Sequence, residues 1–114
     1  MATIGPLIVE PGTGSYCWVT LDSGEQILVN HDTEGAETGC ITIEASKAFE
    51  FSSDPLFEFD LDSLEGKAAL TKLMYSSRTK SVFASPLSIF VEYFKDCGSI
   101  AAVKRKCEAL VLIG

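Results

Sequence analysis

The sequence predicts an α+β fold. Three observations carry that prediction: apolar residues recur with period two up to residue 62, they recur at helical spacing beyond it, and turn residues punctuate both halves. Strands segregated from helices point to an antiparallel sheet rather than to alternating βαβ units. The expected architecture is an about five-stranded, bent antiparallel sheet or small partial barrel over residues 3–62. Two or three C-terminal helices over residues 63–112 cover it. The 114 residues suit a single domain, with a β-rich layer (1–62) and a helical layer (63–114). A chain of this length buries roughly two-thirds of its unfolded surface on folding.

Residues 3–10 (Thr-Ile-Gly-Pro-Leu-Ile-Val-Glu) read as a first strand. Pro6 has no amide donor, which puts this strand at a sheet edge or starts it after the proline. Pro11-Gly12-Thr13-Gly14 is a turn. From residue 16 to 21 the chain alternates: Cys17, Val19 and Leu21 share one face, and Tyr16, Trp18 and Thr20 the other. Asp22-Ser23-Gly24 makes a short hairpin connection, and residues 26–30 return as the partner strand, with Ile27 and Val29 opposite Leu28 in phase. Residues 31–39 read as a polar loop holding His31, Asp32, Glu34 and Glu37. Residues 40–45 resume a strand with Ile41 and Ile43 on one side. Ser52-Ser53-Asp54-Pro55 turns the chain, so that Phe49 and Phe51 face Phe57 and Phe59 across a second hairpin.

The period changes after Asp62. Asp62 and Glu65 have capping-box spacing, and Gly66, Ala69, Leu70, Leu73 and Met74 then recur at helical intervals. Residues 76–81 are a polar connector. Ser85-Pro86 joins an N-cap to a proline at the first helical position, and Leu87, Phe90, Val91 and Phe94 form the apolar stripe that follows. Gly98 fits a C-terminal cap, and Ser99 starts a last helix that buries Ile100, Val103, Cys107 and Leu110. The apolar run Leu110-Val111-Leu112-Ile113-Gly114 is expected to dock on the sheet, add a strand or enter a subunit contact.

Charge reverses at the same boundary. Residues 1–62 carry twelve acidic side chains and one basic one, a net of −11; residues 63–114 carry eight basic and four acidic ones, a net of +4. The total of −7 is paired with a mean hydropathy of +0.23, which is apolar for a small chain and suggests that some apolar surface is covered in a homodimer. Nucleic-acid binding is not expected: a barrel that binds it needs cations to meet phosphates, and the β half has one, Lys47, which restricts that role to the Lys104-Arg105-Lys106 run. No run of apolar residues approaches the ~20 needed to cross a bilayer, and residues 1–9 lack a basic start or a cleavage-like site, so a cytoplasmic location is expected.

No cofactor or metal is expected from the motifs. Cys17, Cys40, Cys97 and Cys107 form no C-x-x-C pair and read as buried free thiols. Gly12-Thr13-Gly14 lacks the lysine and hydroxyl of a phosphate loop, and residues 60–66 miss the calcium-loop pattern at position five and at the glycine. His31, the only histidine, reads as a solvated loop side chain beside Asp32 and Glu34. No nucleophile motif is present. The leading functional expectation is therefore a homodimeric, non-catalytic protein-interaction module whose contact surface is the acidic set Asp32, Glu34, Glu37, Glu58 and Asp60, with a basic protein as a further candidate partner. The alternative is a small-molecule pocket between sheet and helices lined by Tyr16, Trp18 and Phe90; failing a ligand, Tyr16 and Trp18 pack beneath the helices.

Overall fold

A computed structural model describes residues 3–46, 56–76 and 85–111. The α+β prediction holds: among these residues six antiparallel strands form one open sheet, and three helices follow. The strands are β1 (Thr3–Ile4), β2 (Ile8–Glu10), β3 (Gly14–Thr20), β4 (Gln26–Asp32), β5 (Cys40–Ser46) and β6 (Phe57–Asp60). The helices are α1 (Leu64–Ser76), α2 (Pro86–Phe94) and α3 (Ile100–Val111). The sheet order is β1-β3-β4-β5-β6, with β2 also paired to β3, so β1/β2 form one edge and β6 the other. The expected pairing of Phe49 and Phe51, the turn at 52–55, the connector beyond Ser76 and the tail beyond Val111 lie outside the described residues.

Residues 3–10 do not make one strand. Thr3 and Ile4 pair with Thr20 and Val19, whereas Ile8 pairs with Tyr16. The register slips by one residue across Gly5–Leu7, which is a bulge at Pro6, where a ladder donor is missing. The β3–β4 hairpin forms as the alternation predicts, closed by Gly24 at φ +88°. It runs longer than expected: β4 continues through His31 and Asp32, which pair with Ser15 and Gly14.

Antiparallel partners project to the same side of a sheet, so the registers sort every side chain. Val19 with Ile27, Cys17 with Val29 and Ile43, and Ile41 with Phe59 all fall on one face, and all are buried. The helices cover this face. Phe90 of α2 packs against Phe59 with ring centroids 5.2 Å apart and ring planes tilted by 44°, and Leu73, Leu87, Phe94, Val103, Cys107 and Leu110 belong to the same core. Each fully buried aliphatic or aromatic side chain contributes roughly 1.5–3 kcal/mol by leaving water.

The helix starts are fixed by side chains. Ser85 Oγ accepts the Ser88 amide at 3.2 Å with Pro86 next in line, and Ser99 Oγ accepts the Ala102 amide at 3.3 Å, both as expected. Ser63, not Asp62, caps α1: its Oγ accepts the Gly66 amide at 3.0 Å. A hydroxyl one position nearer the helix reaches the orphan amide, which leaves the Asp62 carboxylate for other partners. Gly98 does not take the left-handed cap conformation; α2 ends at Lys95 in right-handed helical geometry. Instead, the Gly98 carbonyl accepts the Ser23 amide at 2.9 Å, and Glu25 Oε1 accepts the Ile100 amide at 3.2 Å, fastening the hairpin tip to the start of α3. A carboxylate there also suits the positive end of the helix dipole. Lys106 is committed to α2, its Nζ donating to the Tyr93 carbonyl at 2.8 Å and lying 4.7 Å from the ring centroid.

Candidate acidic face

The side of the sheet turned away from the helices is built by the other half of the alternation. Across the strands it carries Tyr16 beside Asn30, Thr42 and Glu58; Trp18 beside Leu28 and Glu44; and Asp32 beside Cys40 and Asp60. Three of the acidic residues expected to contact a partner, Asp32, Glu58 and Asp60, thus share one face of three neighbouring strands, and Glu44 joins them. Among the described residues of this face there is no lysine or arginine. Adjacent strands lie about 4.8 Å apart, so the carboxylates of Asp32 and Asp60 fall within roughly one Debye length at physiological salt, and their fields add.

Cys40 reports that field. Its thiol is pushed above the ordinary range first by partial burial and then by the charges of Asp60, Glu58, Asp32 and Asp62. The other thiols are raised as well: burial holds Cys17 and Cys97 up and pushes Cys107 to about 12. A thiol is nucleophilic as its thiolate, so these environments favour inert side chains.

The loop beside this face is ordered by its own acids. Asp32 Oδ1 accepts the Glu34 amide at 3.0 Å. Asp62 reaches across from the β6–α1 turn and accepts the amides of Thr38 at 2.8 Å and Gly39 at 3.2 Å, which lowers its pKa. Asp62 therefore pins the 33–39 loop to the end of β6, a role that the capping-box reading concealed. Glu34 and Glu37 stand exposed in that loop. Tyr16, Asp32 and Glu34 meet, together with Glu10, around a shallow depression of about 170 Å³.

Two expectations are corrected. His31 is not a solvated loop residue; it is 7% exposed, belongs to β4 and projects to the helix side of the sheet. Its Nε2 lies 2.7 Å from the Thr38 carbonyl, to which it donates, so the ring serves as a loop anchor. The second concerns Trp18 and Phe90. Trp18 is 38% exposed on the open face, whereas Phe90 is fully buried beneath the other. The sheet separates them, so they line no common pocket, and neither Tyr16 nor Trp18 packs beneath the helices. Both faces of β3 are apolar in isolation; Ile27, Val29, Ile41 and Ile43 on the neighbours decide which one is covered.

A larger groove, of about 540 Å³, lies along β6. All four β6 residues line it, with Leu64, Glu65, Ala68 and Ala69 of α1 and Leu110 and Val111 of α3. Gly66 sets this spacing, because α1 lies so close to β6 that a Cβ there would collide with the Asp60 carbonyl oxygen. Sequence reasoning missed the groove, since it arises from three segments distant in the chain. Comparison with protein-family models, curated proteins and solved structures finds no match.

Proposed function

We propose that this protein is a non-catalytic interaction module whose acidic open sheet face receives a basic protein partner. The observation that carries the reading is the register that gathers Asp32, Glu44, Glu58 and Asp60 on the uncovered face. A surface of one sign raises the association rate with an oppositely charged partner and disfavours others. Trp18, Tyr16 and Leu28 on the same face supply apolar contact area beside the charges. A homodimer closed through this face would set carboxylates against carboxylates across a two-fold axis. A homodimeric form of the module instead uses the uncharged, exposed Ile4, Leu7 and Val9 at the other edge. Free thiols at Cys17, Cys40, Cys97 and Cys107 fit a reducing compartment such as the cytoplasm. No helix among the described residues is long and apolar enough to cross a membrane.

The test is capture of a partner from the cells that make the protein, run with the natural chain and with the triple variant Asp32→Asn, Glu58→Gln, Asp60→Asn. The natural chain is expected to retain a basic protein that 0.5 M salt releases, and the variant to retain none. Equal retention by both chains overturns the proposal.

A further inference from the structure

The two sheet edges differ in a way that bears on how a partner engages. The β1/β2 edge carries Pro6 and a bulge, both of which blunt strand pairing. β6 holds no proline between Phe57 and Asp60; its one irregularity is at its start, where Leu56 donates to the carbonyl of Ile43, the partner of Phe57, and among the described residues no strand pairs with its far side. In an antiparallel ladder, alternate residues direct both backbone groups at the neighbour. Leu61 donates to the Gly39 carbonyl at 2.8 Å, which continues the β5–β6 register, so Phe57 and Phe59 address β5. The N–H and C=O of Glu58 and the N–H of Asp60 therefore point outward; the Asp60 carbonyl already accepts the Ser63 amide and hydroxyl.

The groove described above runs along this edge. A strand added there would place one set of alternate side chains over the open face, level with Glu58 and Asp60. The other set would enter the groove, against Ala68, Leu110 and Val111. We propose that β6 is a receptor edge that binds an extended segment of a basic protein by β-augmentation, with basic and apolar residues alternating along the segment. The inference rests on the acidic-face reading and names the partner's conformation. Charge complementarity selects this occupant over a second copy, because two β6 edges would bring Glu58 and Asp60 of one copy onto those of the other.

The probe is an acetylated, amidated octapeptide alternating lysine and valine, titrated into the full chain by calorimetry and by amide NMR. It is expected to bind, and to slow hydrogen exchange at the Glu58 amide. N-methylation of the peptide amide that would donate to the Glu58 carbonyl is expected to weaken binding about three- to tenfold, the loss of one hydrogen bond. Ala68→Arg, a change at an exposed helical position lining the groove, is expected to weaken it similarly while leaving the melting temperature unchanged. The control peptide has four lysines followed by four valines. If it binds as tightly, the methylated peptide binds unchanged, and both peptides are lost with the triple acidic variant, then the edge proposal falls and the acidic-face reading stands. If neither peptide binds, both fall. Concentration-dependent self-association abolished by Ala68→Arg, or binding tightened tenfold by Leu112→Asp with Ile113→Asp, would identify a second copy or the chain's own end as the occupant, and either result overturns the proposal.

Discussion

The two faces of the sheet are made by the same strands and share every ladder hydrogen bond, yet they meet opposite demands. One face holds Val19, Ile27, Val29, Ile41 and Ile43 away from water under three helices; the other holds Asp32, Glu44, Glu58 and Asp60 beside Tyr16 and Trp18 in the open. A step of one residue along a strand exchanges the two environments. The consequence of a substitution thus depends on its parity more than on the size of the side chain removed.

Two aromatic truncations break the comparison most sharply. Phe90→Ala, beneath the covered face, is expected to cost roughly 3–5 kcal/mol in urea denaturation. Trp18→Ala, on the open face, removes a larger side chain and is expected to cost about 1 kcal/mol or less. Equal losses would mean that the open face is covered by something as extensive as the helices. The next effect concerns Gly66, which sets α1 against the acidic edge. Alanine in a helix is ordinarily favoured over glycine by about 1 kcal/mol. Here the Asp60 carbonyl occupies the space of the new methyl group, so Gly66→Ala is expected to destabilise by roughly 1–3 kcal/mol in the same assay.

Acid titration sharpens the contrast between one structural carboxylate and the acids around it. The amides of Thr38 and Gly39 hold Asp62 below the ordinary aspartate value, near 3.9 in an unfolded chain. A carboxylate whose folded pKa is lowered contributes stability that is fully present above its unfolded pKa and lost as pH falls through the folded one. Asp62→Asn is therefore expected to flatten part of the loss of stability below about pH 4, followed by denaturation at a series of pH values. An unchanged acid limb would assign the loss to other groups. The smallest effect is kinetic. Cys40 is expected to react with a neutral alkylating reagent at pH 8 more slowly than free cysteine, because burial and the surrounding acids hold its thiol protonated. High salt or Asp60→Asn is expected to accelerate it.

Much of the fold was legible because local patterns and tertiary demands agree. The alternation of β3 and β4, the Ser85-Pro86 start and the Ser99 cap each appear in the structure where the residues place them. What was illegible depends on contacts between distant segments. The burial of His31 follows from the extension of β4 against Ser15 and Ile41. Asp62 had two local roles open to it, and Ser63 took the cap. The acidic face was half legible: alternation places Glu58 and Asp60 on one side of β6, but only the pairing through Cys40 and Thr42 aligns them with Asp32 and its neighbours. The groove along β6 had no local signature.

The link between the β3–β4 hairpin tip and the start of α3 has a consequence in time. Glu25 and Ile100 are 75 residues apart in the chain. At typical elongation rates, about 5–20 residues per second, the hairpin is synthesised roughly 4–15 s before the amide that its carboxylate accepts. Until α1 and α2 follow, the covered face has strands but no lid, and Ile27, Val29 and Ile41 meet water or whatever else is at hand. The sheet is therefore most exposed to misassociation before its helices are made, and the arrival of α3 fastens an already covered sheet at its hairpin tip.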